Sequence, residues 1–157
     1  FMAYSHVAHD CRVGNGVILV NAVPLAGHVE VGDYAVLGGL CAVHQFVRIG
    51  RFAMLSGGSM IGKDVPPFCT AQGDRATLRG LNVVGLRRSG LPRESIAAIK
   101  SAYKTLFMAG LTQAEAVARL RTPEAPPEVI ELLDFVESSK RGVTRPASDA
   151  QESNEPA

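Results

Sequence analysis

An apolar residue returns every six positions from Phe1 to Ile61, through Val7, Val13, Leu19, Leu25, Val31, Leu37, Val43, Ile49 and Leu55. At this apolar content, and with six phases to choose from, chance yields such a run roughly one time in a thousand. A helix repeats near 3.6 and a strand at 2, and neither period accounts for six over so long a stretch. It suits a solenoid in which each hexad is one short strand plus a bend, three hexads closing a triangular coil of about eighteen residues. The neighbouring columns agree. The position after each apolar residue is mostly Gly, Ala or Ser (Ala8, Gly14, Ala26, Gly32, Gly38, Gly50, Ser56, Gly62), as expected of a tight bend. The column of Cys11, Val17, Val23, Val29, Ala35 and Cys41 is small or β-branched, able to fill a narrow interior. Arg12-Val13-Gly14-Asn15, Glu30-Val31-Gly32-Asp33 and Arg48-Ile49-Gly50-Arg51 echo one another at eighteen residues. The pattern predicts a parallel β-helix over residues 1–67.

Asp64-Val65-Pro66-Pro67 closes the repeat, since two prolines remove ladder donors. Residues 68–80 read as a connecting loop or last coil. From Leu81 the period turns helical and predicts a C-terminal helical domain over 81–143. A short segment to Arg88 is broken by Ser89-Gly90, and a longer helix from Pro92 carries Ile96, Ile99, Tyr103, Leu106 and Phe107 on one face, with Gly110 as its stop. Thr112-Gln113-Ala114-Glu115 is a capping box, and Pro126-Pro127 opens a last helix. From Thr144 to Ala157 the composition predicts a disordered polar tail. Phe1 is already in phase with the repeat and nothing caps it, so upstream coils are expected to be missing.

A net charge of +1 argues against nucleic acid as a partner, although Asp74 to Lys104 carries seven Lys or Arg against two acidic residues. No apolar run of eighteen and no charged-then-apolar leader is present, so neither a membrane span nor a signal peptide is expected. Three cysteines, two of them in the inward column, read as reduced structural thiols of a cytoplasmic protein.

Stacking residues eighteen apart brings His9, Asp10, His28, His44, Gln45, Lys63 and Asp64 to one corner of the prism, with His6 one strand before it. His44 occupies a bend column otherwise held mostly by Gly, Ala and Ser, and Asp10 can fix the tautomer of a neighbouring imidazole. Two chemistries fit. One histidine with a carboxylate partner can act as general base, with the Gly27 N–H facing a developing oxyanion. Alternatively, three histidines can converge on zinc. A structural, hydrogen-bonded corner is the third possibility.

His6-Val7-Ala8-His9-Asp10-Cys11, Leu25-Ala26-Gly27-His28-Val29, Val43-His44-Gln45-Phe46, Asp64-Val65-Pro66-Pro67 and Asn82-Val83-Val84-Gly85-Leu86-Arg87-Arg88 occur in that order. Together they resemble the UDP-N-acetylglucosamine O-acyltransferases that begin lipid A synthesis, the likeness running from Phe1 to about Arg145. The resemblance implies a left-handed β-helix, a homotrimer with sites between subunits, no cofactor or metal, and a cytoplasmic enzyme of a Gram-negative-type bacterium. It implies attack of the 3-hydroxyl of UDP-N-acetylglucosamine on an (R)-3-hydroxyacyl thioester of acyl carrier protein. His9 then matches the general base, Asp10 its partner and Gly27 the oxyanion-stabilising amide. His6, His28, His44 and Gln45 match substrate contacts, and Gln72, Asn82 and Arg88 match positions that hold the nucleotide sugar. Gly57 and Met54 match positions that set acyl length, the glycine implying room for a longer chain. Val84, Ser89 and Arg75 depart from the familiar Glu, Arg and His. The rival readings are a related UDP-sugar N-acyltransferase, a coenzyme A-dependent acyltransferase, a zinc carbonic anhydrase on the same scaffold, and a solenoid that serves only for oligomerisation.

Overall fold

In the computed structural model, which describes residues 1–148, the hexads become ten two-residue strands. These are β1 (His6–Val7), β2 (Arg12–Val13), β3 (Ile18–Leu19), β4 (Pro24–Leu25), β5 (Glu30–Val31), β6 (Val36–Leu37), β7 (Ala42–Val43), β8 (Arg48–Ile49), β9 (Met54–Leu55) and β10 (Met60–Ile61). They stack in parallel as three walls: β1-β4-β7-β10, β2-β5-β8 and β3-β6-β9. The pairing His6↔Pro24, Arg12↔Glu30 and Ile18↔Val36 fixes the coil at eighteen residues. The two inward columns form the core, with Leu19, Val23, Leu25, Val29, Ala35, Leu37, Cys41, Val47, Ala53 and Leu55 fully buried.

The bends differ from the sequence expectation. The left-handed residue of each corner is not in the small-residue column but two positions later, at Tyr4, Asp10, Gly16, Ala22, His28, Tyr34, Leu40, Phe46, Phe52 and Gly58, all at φ between 56° and 75°. Eight of these ten are not glycine, so the solenoid ladder imposes this conformation against the usual steric preference. The small column has another cause, the close approach of the next coil. A Cβ on Gly32 would lie 2.6 Å from the Arg51 nitrogen, and one on Gly38 2.7 Å from the Gly57 nitrogen.

The prolines do not end the solenoid. They fall in a corner, where the ladder needs no N–H, and the chain continues into β11 (Cys69–Gln72), which pairs in parallel with β9, and β12 (Thr77–Leu81), antiparallel to β11. Thr70 stands opposite Met54, sixteen positions on instead of eighteen, so this last coil is shortened.

Four helices follow: α1 (Val83–Arg88), α2 (Arg93–Phe107), α3 (Gln113–Leu120) and α4 (Pro127–Ser138). The Thr112–Glu115 capping box forms as the spacing predicts. The helices bury Leu86, Ile99, Leu106, Leu132 and Leu133 around Phe68, which joins this core to the last coil. α4 lies beside the second wall. There Glu131 accepts from Arg51 Nε (3.0 Å) and Nη2 (2.8 Å), and Arg48 stacks 4.3 Å over Phe135.

The expected polar tail is ordered at its start. The Thr144 N–H donates to the Asp64 carbonyl at 2.8 Å, the Leu78 N–H to the Arg145 carbonyl at 2.9 Å, and Leu78 bridges Pro146. Residues 149–157 of that tail lie outside the described residues.

Candidate active site

One corner, between the first and second walls, gathers the chemistry. His9 and Asp10 turn the first coil, Gly27 and His28 the second, Gln45 and Phe46 the third. The His28 N–H donates to the His9 carbonyl and the Phe46 N–H to the Gly27 carbonyl, so side chains eighteen apart stand one above another. His9 Nδ1 and Asp10 Oδ2 are 2.9 Å apart. His28 Nε2 lies 3.7 Å from the same oxygen. The His9 and His28 rings meet edge to face at 5.1 Å, and His28 stacks in parallel on Phe46 at 4.6 Å.

All three side chains reach solvent, with relative exposures of 69% for His9, 65% for Asp10 and 40% for His28. The Asp10 carboxyl is held below the ordinary aspartate range, first by the hydrogen bond with His9 and then by the charge of a protonated His28. It is therefore an anion wherever a histidine can act as base. Gly27 is the seat of His9: its Cβ, were there one, would lie 2.7 Å from His9 Cε1 and 2.8 Å from Nε2. The ring rests on bare backbone, Nδ1 tied to Asp10 and Nε2 beside Gly27.

Other expected residues are placed differently. His44 and Gln45 share this corner one coil on, the Gln45 carbonyl lying 3.1 Å from His44 Nδ1, and His6 is exposed on the first wall. Asp64 turns inward and is only 1% exposed, because the Arg48 N–H (2.8 Å) and the Ser139 hydroxyl (2.6 Å) both donate to it. It is not part of the surface patch that simple stacking predicts. Gln72 and Met54 belong to the third wall, and Gly57 to the corner between the third and first walls. Asn82 caps α1, accepting from the Gly85 N–H at 3.1 Å and donating to the Phe52 carbonyl at 3.0 Å. Arg88 is exposed in the last turn of that helix, Val84 is exposed in its first, and the Ser89 hydroxyl donates to the Leu86 carbonyl. Within one chain, then, His9, Asp10, Gly27 and His28 converge, whereas Gln72, Asn82, Arg88, Met54 and Gly57 lie on other faces.

Two features go beyond what the sequence reading assigns. The eighteen-residue step puts Phe46 in register with Asp10 and His28, but its parallel stacking on the His28 ring is seen only in the structure. The other is a groove of about 1150 Å³ beside the corner, running from Asp10 and His28 to Arg48, Lys140 and Arg141. The C-terminal segment supplies one side of it, which no local pattern in residues 138–141 announces.

Residues 64–144, just over half of the chain, match the family described as Udp N-acetylglucosamine O-acyltransferase; Domain 2. The acyl-[acyl-carrier-protein]--UDP-N-acetylglucosamine O-acyltransferase of Burkholderia orbicola is 48% identical, the match covering 92% of this chain and 57% of that protein. Among solved structures, the UDP-N-acetylglucosamine O-acyltransferase of Moraxella catarrhalis superposes with a TM-score of 0.88 at 41% identity, covering 92% of this chain and 56% of its own. The acyltransferase of Francisella novicida gives 0.89 at 36% identity, covering 95% and 55%. The chain thus spans little more than half the length of the relatives it matches. Its fold is theirs, a left-handed parallel β-helix with C-terminal helices. Among the described residues no helix is long and apolar enough to cross a membrane. A matched domain covering over half of the sequence, with relatives this similar, makes the chain a member of the UDP-N-acetylglucosamine O-acyltransferase family.

Proposed function

We propose that this chain carries the catalytic corner of an acyltransferase that moves an (R)-3-hydroxyacyl group from acyl carrier protein to the 3-hydroxyl of UDP-N-acetylglucosamine, the first step of lipid A synthesis. The observation that carries the reading is the His9–Asp10 pair seated on Gly27. With Nδ1 held by an anionic carboxylate, Nε2 is the atom free to accept a proton. The sugar hydroxyl attacks the thioester carbonyl carbon as its proton passes to His9 Nε2. Asp10 stabilises the imidazolium, and the Gly27 N–H faces the oxyanion. The tetrahedral intermediate then expels the pantetheine thiolate, which takes the proton back from His9, leaving ester and thiol. His28, His44, Gln45 and His6 border the acceptor, and Lys140 and Arg141 give the adjoining groove a cationic rim suited to an acidic carrier protein.

The scattered residues are explained by assembly. Outward positions of the second wall are charged (Arg12, Glu30, Arg48) and lie beside α4. Those of the first wall (His6, Pro24, Ala42, Met60) and of the third (Ile18, Val36, Met54, Thr70) carry no Lys, Arg, Asp or Glu, and Leu40 on the corner between them is 67% exposed. A cyclic homotrimer pairing the first wall of one copy with the third wall of the next covers this surface. It would bring Gln72, Asn82, Arg88, Met54 and Gly57 of a neighbour towards the His9 corner, where they would hold the nucleotide sugar and the acyl chain. A cytoplasmic location, where acyl carrier protein is found, belongs to the same proposal.

His9→Ala in the full-length protein tests it. Acyl transfer should be lost while trimer and melting temperature are kept, and retained turnover would refute the assignment.

A further inference from the structure

The same corner meets the requirements of a metal site. His9 Nδ1, Asp10 Oδ2 and His28 Nε2 lie within 4.8 Å of one another. The two legs that meet on the carboxylate measure 2.9 Å and 3.7 Å. Zinc bound tetrahedrally at about 2.0–2.1 Å from nitrogen and oxygen holds its ligand atoms about 3.3 Å apart. The two legs to the carboxylate straddle that value and need adjustments of a few tenths of an ångström, and the two ring nitrogens, within 4.8 Å of each other, close onto the same ion by rotation of the side chains.

Preorganisation favours it further. Phe46 stacks on His28 at an interplanar angle of 11°, and Gly27 seats His9, so neither ring has to be ordered from a free rotor. Two imidazoles and a carboxylate form a donor set suited to first-row transition ions. The exposure of all three side chains leaves an open approach and a fourth position for water.

We propose that His9, Asp10 and His28 form a zinc site whose occupation inhibits acyl transfer. The inhibition rests on the reading of His9 as base, whereas the binding stands on geometry alone. When Nδ1 ligates the ion, the single proton of the neutral ring resides on Nε2, the atom that must accept a proton from the sugar hydroxyl. Asp10, now a ligand, no longer holds the tautomer. Zinc therefore silences the base without leaving the corner it shares.

Calorimetric titration of zinc chloride into the intact protein, without substrate, tests the site. One ion per chain should bind with a Kd on the order of micromolar, weakened at least tenfold by Asp10→Asn and by His28→Ala. His6→Ala, on the adjoining wall but outside the cluster, should bind as the parent does. Asparagine tolerates the left-handed backbone of position 10, so Asp10→Asn removes the charge without unfolding the turn. Absence of saturable binding up to roughly 100 µM zinc, parental affinity in Asp10→Asn or His28→Ala, or equal loss in His6→Ala would overturn the site. Zinc should also inhibit turnover with a constant matching the calorimetric Kd, and binding without inhibition overturns the inhibitory role. Retained turnover in His9→Ala would remove the acyl-transfer reading while leaving the calorimetry untouched.

Discussion

Gly27→Ala separates the seat of the proposed base, His9, from the amide beside it. The new methyl keeps the N–H and meets no backbone obstacle, since Gly27 is not in the left-handed region. Its Cβ would lie 2.7 Å from His9 Cε1. That is roughly 0.8 Å inside the ~3.5 Å at which carbon atoms meet. The ring sits at the free end of a side chain and yields by rotation, costing about 0.5–1.5 kcal/mol in rotamer strain. A Gly→Ala change in permitted backbone returns about 0.4–1 kcal/mol through the unfolded chain. The two nearly cancel, so the melting temperature should move by no more than about 4 °C. The chemistry does not share that tolerance. A base displaced by close to 1 Å loses on the order of 10²-fold in rate, about 2.7 kcal/mol of barrier, and the 2.9 Å contact between His9 and Asp10 opens with it. Steady-state acyl transfer and thermal unfolding of the full-length variant, measured side by side, check both halves. A kcat/KM within threefold of the parent would show that the seat does not position His9.

Further outcomes follow from the same geometry. The Asp10 midpoint, read by carboxyl carbon NMR, should rise towards the ordinary aspartate value in His9→Ala and less so in His28→Ala, following the order of the two causes. Because its native pKa is the depressed one, whatever stability the pair adds is complete at neutral pH and fades only as pH falls through the native midpoint, and an acid-labile fold near pH 5 that disappears in Asp10→Asn would contradict this. Asp64→Ala orphans the Arg48 N–H and the Ser139 hydroxyl beneath the corner. Both groups are half-buried, so each lost partner costs towards the lower end of about 1–3 kcal/mol, and the variant should melt below the parent, with Asp64→Asn between them; equal melting of all three would remove Asp64 as the clamp. Burial pushes the Cys41 and Cys69 thiols up, whereas Cys11 is half-buried. A native thiol-labelling assay should therefore count at most one prompt reaction per chain, the other two appearing only on unfolding.

The sequence by itself determined the coil. The apolar column, the small column and the eighteen-residue echo specify three walls and parallel pairing, because a six-residue repeat can bury one face per hexad only by winding. The helices and the Thr112 cap were equally legible, since their signals are local and periodic. The corner histidines were legible because eighteen-residue stacking converts sequence distance directly into height on the prism, and Asp10 follows His9 in the chain. Tertiary structure decided what that arithmetic omits. It turned Asp64 inward, because the C-terminal segment brings Ser139 to a carboxylate otherwise facing water. It moved the left-handed bend to the column of Asp10, His28 and Phe46, where ladder hydrogen bonds outweigh the steric preference for glycine. It seated His9 on Gly27 and stacked the His28 ring on Phe46, contacts for which spacing supplies the level and side-chain direction the rest. It also kept Gln72 and Met54 on the third wall, where their phase within the coil puts them, and Asn82 and Arg88 on the helix beyond it, all away from that corner whatever chemistry their side chains carry.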